Sequence, residues 1–128
     1  MACILIIDDD EAVRSATKIV LDANGFDVVT AADGKSGINA VKDRQFDAII
    51  VDLFMPGMDG LATAKAIRKL CPLTPIITAS GFMFGGWCPE MPNFEEMAAE
   101  VGATSALYKP FRPKELLQTI HKAIGAAA

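Results

Sequence analysis

Apolar residues in this chain gather into five short runs, at 3–7, 26–30, 48–51, 75–79 and 104–108. The segments between them carry apolar residues at helical spacing. The runs are too short for buried helices. Most lack the strict alternation of a half-exposed strand, so they read as strands covered on both faces. The first intervening helix is expected over about 11–23, with Val13, Ala16, Val20 and Ala23 on one face and Asn24-Gly25 as its stop. The second covers about 34–43, with Ile38 and Val41 inward. The third covers about 60–70, with Leu61, Ala64, Ile67 and Leu70 on one face, and ends before Pro72. The fourth, about 94–101, opens on Asn93 with Glu96 three residues on, a capping pair. The fifth begins at Pro113, a residue suited to a first helical turn, and turns Leu116, Leu117, Ile120 and Ile124 inward.

Five strand–helix units with right-handed crossovers leave few topologies. The expected architecture is an α/β, doubly wound, five-stranded parallel sheet of order 2-1-3-4-5. A chain of 128 residues suits one domain over its whole length, with a core over about 3–124. The closing Gly125-Ala126-Ala127-Ala128 is expected to fray.

Composition narrows the function classes. At 52% hydrophobic and 22% charged residues, the chain is an ordinary globular protein. Its net charge of −4 speaks against direct binding of nucleic acid, which favours basic surfaces. Cys3, Cys71 and Cys88 form no metal-ligand pattern with the single histidine, His121, and an odd count without a framework fits unpaired thiols in a reducing cytoplasm. Asp8 interrupts the first apolar run, so no signal peptide is expected at the start of the chain. No stretch approaches the roughly 18 apolar residues of a membrane span.

The candidate chemistry sits where the runs end. The first run leads into Asp8 and Asp9, the third into Asp52, the fourth into Ser80 and the fifth into Lys109. In parallel strands all five meet at one edge, where open α/β sheets bind ligands. Three carboxylates so close must take up a proton or a cation. Oxygen donors alone favour a hard cation, and a site with few carboxylates suits Mg²⁺, which keeps waters and shares a phosphate. Capping of the first helix is the simpler reading for Asp10 and Glu11. Lys109 and Ser80 would add a positive charge and a hydroxyl, a set suited to phosphoryl transfer. With no glycine-rich phosphate loop and no catalytic histidine, the nucleophile must be a carboxylate, and Asp52 is central in the sheet.

These motifs, IIDDDE at 6–11, VDLFMPGMDG at 51–60, TASG at 78–81 and YKPF at 108–111, resemble those of the bacterial two-component response-regulator receiver domain, a chemotaxis-receiver-like superfamily. The resemblance covers 4–124 and implies a flavodoxin-like (βα)₅ fold. Known receivers carry the 2-1-3-4-5 order, so order and resemblance count once, not twice. By resemblance, Asp52 is the phosphoacceptor. Asp9 would ligate Mg²⁺ directly, Asp8 through water, and the Phe54 backbone carbonyl would be the third protein ligand. Lys109 would pair with the phosphoryl group beside a structural Pro110. Ser80 would be the switch hydroxyl, whose movement changes the face of the fourth helix, fifth strand and fifth helix. Gly60, closing the acidic loop, counts as structural. The partners implied are a histidine kinase or phosphotransfer protein and a downstream protein target. Neither direct nucleic-acid binding nor a membrane is expected, and a phosphorylation-dependent dimer is one assembly the resemblance allows.

Three positions depart from the family's pattern. The aromatic switch residue common three places before the lysine is Ala106 here. The aromatic is Tyr108, expected on the opposite strand face from Lys109. Phe54, two places after Asp52, either contributes only its carbonyl or shields the phosphoryl group from water. The connection over 81–93 is long for a receiver and holds Trp87, two Phe and two Met, which suits either a partner surface or a cover for the site. His121 is expected on an exposed helix flank.

Two other classes compete. A small aspartate-nucleophile phosphatase usually places a second aspartate two positions after the nucleophile, where Phe54 stands. A phosphorylation-independent binding module would be marked by loss of an acidic or lysine residue, and none is lost. The expectation is therefore a signalling phosphoacceptor rather than an enzyme, showing only self-phosphorylation and slow autodephosphorylation. Little chain remains after the fifth helix for an output domain, so a stand-alone receiver and a part of a larger regulator or hybrid kinase both fit.

Overall fold

A computed structural model describes residues 2–53, 60–81, 99–109 and 111–127, with Ser80, Gly81, Lys109, Ala126 and Ala127 described at the backbone only. The elements are β1 (Cys3–Ile7), α1 (Glu11–Ala23), β2 (Asp27–Ala31), α2 (Gly34–Asp43), β3 (Ala48–Asp52), α3 (Gly60–Leu70), β4 (Ile76–Gly81), β5 (Ser105–Lys109) and a C-terminal helix (Pro113–Ala127). The five strands are parallel throughout, in the order β2-β1-β3-β4-β5. Of the fourth expected helix, 94–98 lie outside the described residues. Ala99 and Glu100 are helical, and Gly102 follows at φ 64°, a left-handed position that lets the chain leave the helix.

The sheet separates two cores. On one face Leu5, Ile7, Ile49, Val51 and Ile76 meet Val41 of α2 and Ala64 and Ile67 of α3. On the other, Ile4, Ile6, Ile50, Ile77 and Leu107 meet Leu21 of α1 and Leu116, Ile120 and Ala123 of the C-terminal helix. Every residue of β1 and β3 is buried, which explains their unbroken apolar runs.

Several expectations are corrected. Strand β2 starts and ends one residue later than its apolar run, because the Phe26 N–H bonds Leu21 and pairing begins with Asp27 N–H to Ala2. As an edge strand it is not buried throughout: Asp27 and Thr30 are exposed, while Val28 and Ala31 are buried. On α1, Ala16 and Ala23 face solvent, and the buried residues are Thr17 and Leu21, with Val13 and Val20 half-buried. Leu70 at the end of α3 is 47% exposed. The C-terminal helix reaches Ala127 instead of fraying at Gly125, since alanine is the strongest helix former. His121 is exposed as expected, with its ring 5.5 Å from that of Phe26. Cys3 and Cys71 are free thiols, and Cys88 lies outside the described residues.

Among the described residues no helix is long and apolar enough to cross a membrane. Arg68, at the end of α3, donates to five main-chain carbonyls: Val101 (3.0 Å), Cys71 (3.2 Å), Pro72 (3.1 Å), Thr74 (2.8 Å) and Gly102 (3.0 Å). Burial pulls the guanidinium below its ordinary pKa, and it remains a cation at neutral pH. It ties the segment entering β4 to the one entering β5.

Candidate functional site

At the carboxyl ends of β1 and β3 the strands deliver acidic side chains side by side. Ile7 pairs with Val51, so the next residue on each strand line is an aspartate, Asp8 and Asp52. Both are almost wholly buried, at 3% and 4% exposure, while Asp9 is exposed. One carboxylate oxygen from each of Asp8, Asp9 and Asp52 lies within 4.8 Å of the others. Burying two carboxylates beside a third is costly unless charge is balanced, so their convergence marks a site rather than a surface accident.

Local bonds explain why the chain holds them there. The Asp8 N–H continues the β1–β2 pairing by donating to Ala31 (3.1 Å). The Asp8 carboxylate accepts from the Asp10 N–H (2.9 Å). The Asp10 carboxylate in turn caps α1, accepting from Ala12 N–H (2.9 Å) and Val13 N–H (3.4 Å). Arg14, one turn into α1, donates from Nη1 to the Asp8 carbonyl (2.7 Å). Beyond Asp52, the Leu53 N–H donates to Ala79 (3.0 Å), extending β3–β4 pairing into the crevice. Gly60 opens α3 against this corner. A Cβ there would lie 2.6 Å from Leu53 Cα and collide with the Asp52 carbonyl as well. Only glycine lets α3 begin so close to Asp52.

The other strand-end residues reach the same edge. Asp52 pairs with Ala79, and Ala79 with Leu107. Ser80 follows Ala79 and pairs with Tyr108, and Lys109 follows Tyr108 and pairs with Gly81. The strands therefore bring Asp8, Asp52, Ser80 and Lys109 to one pole of the sheet. Ala106, in register with Thr78, is exposed, and Tyr108 is 43% exposed. Phe54, Trp87 and Pro110 lie outside the described residues. Asp10 and Glu11 occupy the cap and first turn of α1, the capping role expected of them.

Two residues here were not legible beforehand. Arg14 reads as a solvated helix residue, and its one signal is its place a turn after the Asp8-Asp9-Asp10 triplet. Thr78 is fully buried, and its Oγ1 has no hydrogen-bond partner among the described residues, where an aliphatic residue would have served packing better. Its place inside an apolar run gave no hint of that.

The donor set fits Mg²⁺: hard oxygens only, two of them buried and one exposed to water. Comparison with known proteins identifies the family. The chain is 28% identical over 114 residues to the alkaline phosphatase synthesis transcriptional regulatory protein PhoP of Bacillus subtilis, which covers 88% of this chain and 44% of that protein. It is 30% identical over 122 residues to the DNA-binding response regulator MtrA of Mycobacterium tuberculosis, covering 91% of this chain and 48% of that one. The chain thus spans about half the length of these curated relatives. Among solved structures, a CheY-like response regulator receiver domain protein from Methanospirillum hungatei superposes with a TM-score of 0.87 at 26% identity, covering 99% of this chain and 96% of that one. Chemotaxis protein CheY4 of Vibrio cholerae gives 0.83 at 34% identity, covering 96% and 98%. The family model described as the response regulator receiver domain matches residues 4–121, and with that the chain belongs to the two-component response-regulator receiver family.

Proposed function

We propose that this chain is a phosphoacceptor switch that takes a phosphoryl group onto Asp52 from the phosphohistidine of a sensor kinase or phosphotransfer protein. The observation that carries the reading is the burial of Asp52 at the end of the central strand, with its carboxylate within reach of Asp8 and Asp9. An Asp52 carboxylate oxygen attacks phosphorus, and the P–N bond breaks as the P–O bond forms. The imidazole keeps the electron pair and regains a proton from solvent. Asp9, Asp52, the Phe54 carbonyl and, through water, Asp8 would hold Mg²⁺. When bound, the ion supplies neutralising charge for the phosphoryl oxygens. Lys109 pairs with the same oxygens, and the Ser80 hydroxyl reports the new charge to the face that includes Ala106 and Tyr108. Receivers of this family act with histidine kinases and downstream effectors. For this chain the output is protein contact without direct nucleic-acid binding, in the cytoplasm. Its chemistry is limited to its own phosphorylation and slow autodephosphorylation.

The test is incubation with a small-molecule phosphodonor and Mg²⁺, read by intact mass and phosphoprotein electrophoresis. Wild type should gain one phosphoryl group, while Asp52→Ala and chelator-treated wild type gain none. Label retained by a folded Asp52→Ala protein would overturn the assignment. Steady turnover of a small phosphomonoester would favour a phosphatase instead.

A further inference from the structure

The turn between β1 and α1 must offer Asp9 to a cation while its neighbours stay put. Asp8 is held by Ala31 through its N–H, and its carboxylate accepts from the Asp10 N–H. Asp10 is fixed as the cap of α1. Asp9 between them is exposed. The main-chain carbonyl of Asp8, which belongs to the peptide unit leading into Asp9, is gripped by Arg14 Nη1 at 2.7 Å. This charge-assisted bond stops the peptide from rotating, and peptide rotation is what would swing Asp9 away from Asp8 and Asp52.

We propose that Arg14 is a positioning residue for the divalent cation: by holding the Asp8 carbonyl it keeps the Asp8 and Asp9 carboxylates gathered with Asp52 before the ion arrives. This rests on the Mg²⁺ reading of the site. Without the clamp, the exposed Asp9 carboxylate drifts from Asp8 and Asp52, and cation binding must overcome the cost of bringing it back. The Arg14 charge acts in the opposite sense, since a cation near the site disfavours another. At physiological salt that repulsion amounts to about a twofold effect for a partly exposed guanidinium. Loss of an outer partner of a metal ligand commonly weakens binding about 10- to 100-fold. Arg14 acts through backbone, so the lower end applies, and positioning outweighs repulsion.

The experiment is an NMR titration of the full chain with Mg²⁺, following backbone amides, for wild type, Arg14→Ala and Arg14→Lys. Amide hydrogen exchange at Asp9 and Asp10 is measured in metal-free protein alongside. Arg14→Ala should bind Mg²⁺ about fivefold more weakly and exchange those amides faster. Arg14→Lys, whose ammonium can still reach the carbonyl, should recover part of both. Tighter binding by Arg14→Ala, or unchanged affinity with only a lower melting temperature, would overturn the proposal. If wild type shows no saturable Mg²⁺ response, the metal reading fails, and the exchange rates still decide whether Arg14 holds the turn.

Discussion

The two poles of the sheet treat polar groups in opposite ways. At the amino-terminal pole, charge is spent on the chain itself. Arg68 meets five carbonyls, the Asp47 carboxylate accepts from Cys3 N–H at 2.7 Å, and Arg44 pairs with Asp27 at 2.9 Å. At the carboxyl-terminal pole, like charges are gathered, with Asp8, Asp9 and Asp52 sharing a few ångströms. The first arrangement satisfies groups that would otherwise be stranded. The second gathers carboxylates into one crevice, the site of the proposed phosphorylation. Most side-chain support for the strand entries thus lies at one end of the sheet, and the proposed chemistry lies at the other.

Substitutions at each pole test that separation. Arg68→Met should cost about 3 kcal/mol, because partly buried carbonyls lose a charged donor. It should lower the melting temperature by roughly 10 °C. Phosphorylation of the folded fraction should be unchanged, and a matching loss of phosphorylation would break the comparison. Gly60→Ala comes next and crosses the divide, since its Cβ strikes the backbone that carries Asp52. A loss of about 2 kcal/mol is expected from this overpacking, read by urea denaturation, together with slower phosphorylation. A stable variant that phosphorylates normally would show that the corner can yield. The smallest effect belongs to Phe54→Asn, which should leave stability within about 0.5 kcal/mol and shorten the phosphorylated lifetime several-fold. An unchanged or longer lifetime would remove Phe54 as a shield against water.

The sheet and its chemical edge were readable in the sequence for one physical reason: central parallel strands are buried on both faces, so a carboxylate at the end of an apolar run stands out. The outer elements were less readable. On α1, alanine looks apolar and threonine polar, so Ala16 and Ala23 appeared inward when Thr17 and Leu21 are. An exposed alanine costs nothing in a helix, and a threonine methyl packs well. Strand β2 misled at its ends, because Phe26 is apolar and buried yet bonds back to Leu21 ahead of the pairing. Arg68 and Arg14 left almost no trace, because their partners are main-chain carbonyls, and any residue type supplies a carbonyl.

Arg68 also sets the mechanics of any signal that starts at the crevice. Its contacts fix Cys71, Pro72 and Thr74, just ahead of β4, to Val101 and Gly102, just ahead of β5. With their entry points riveted together, these two strands cannot slide lengthwise past each other. The proposed movement of Ser80 would then be borne as a tilt about this tied end, largest at the crevice and smallest at the guanidinium, as in a lever hinged at one end.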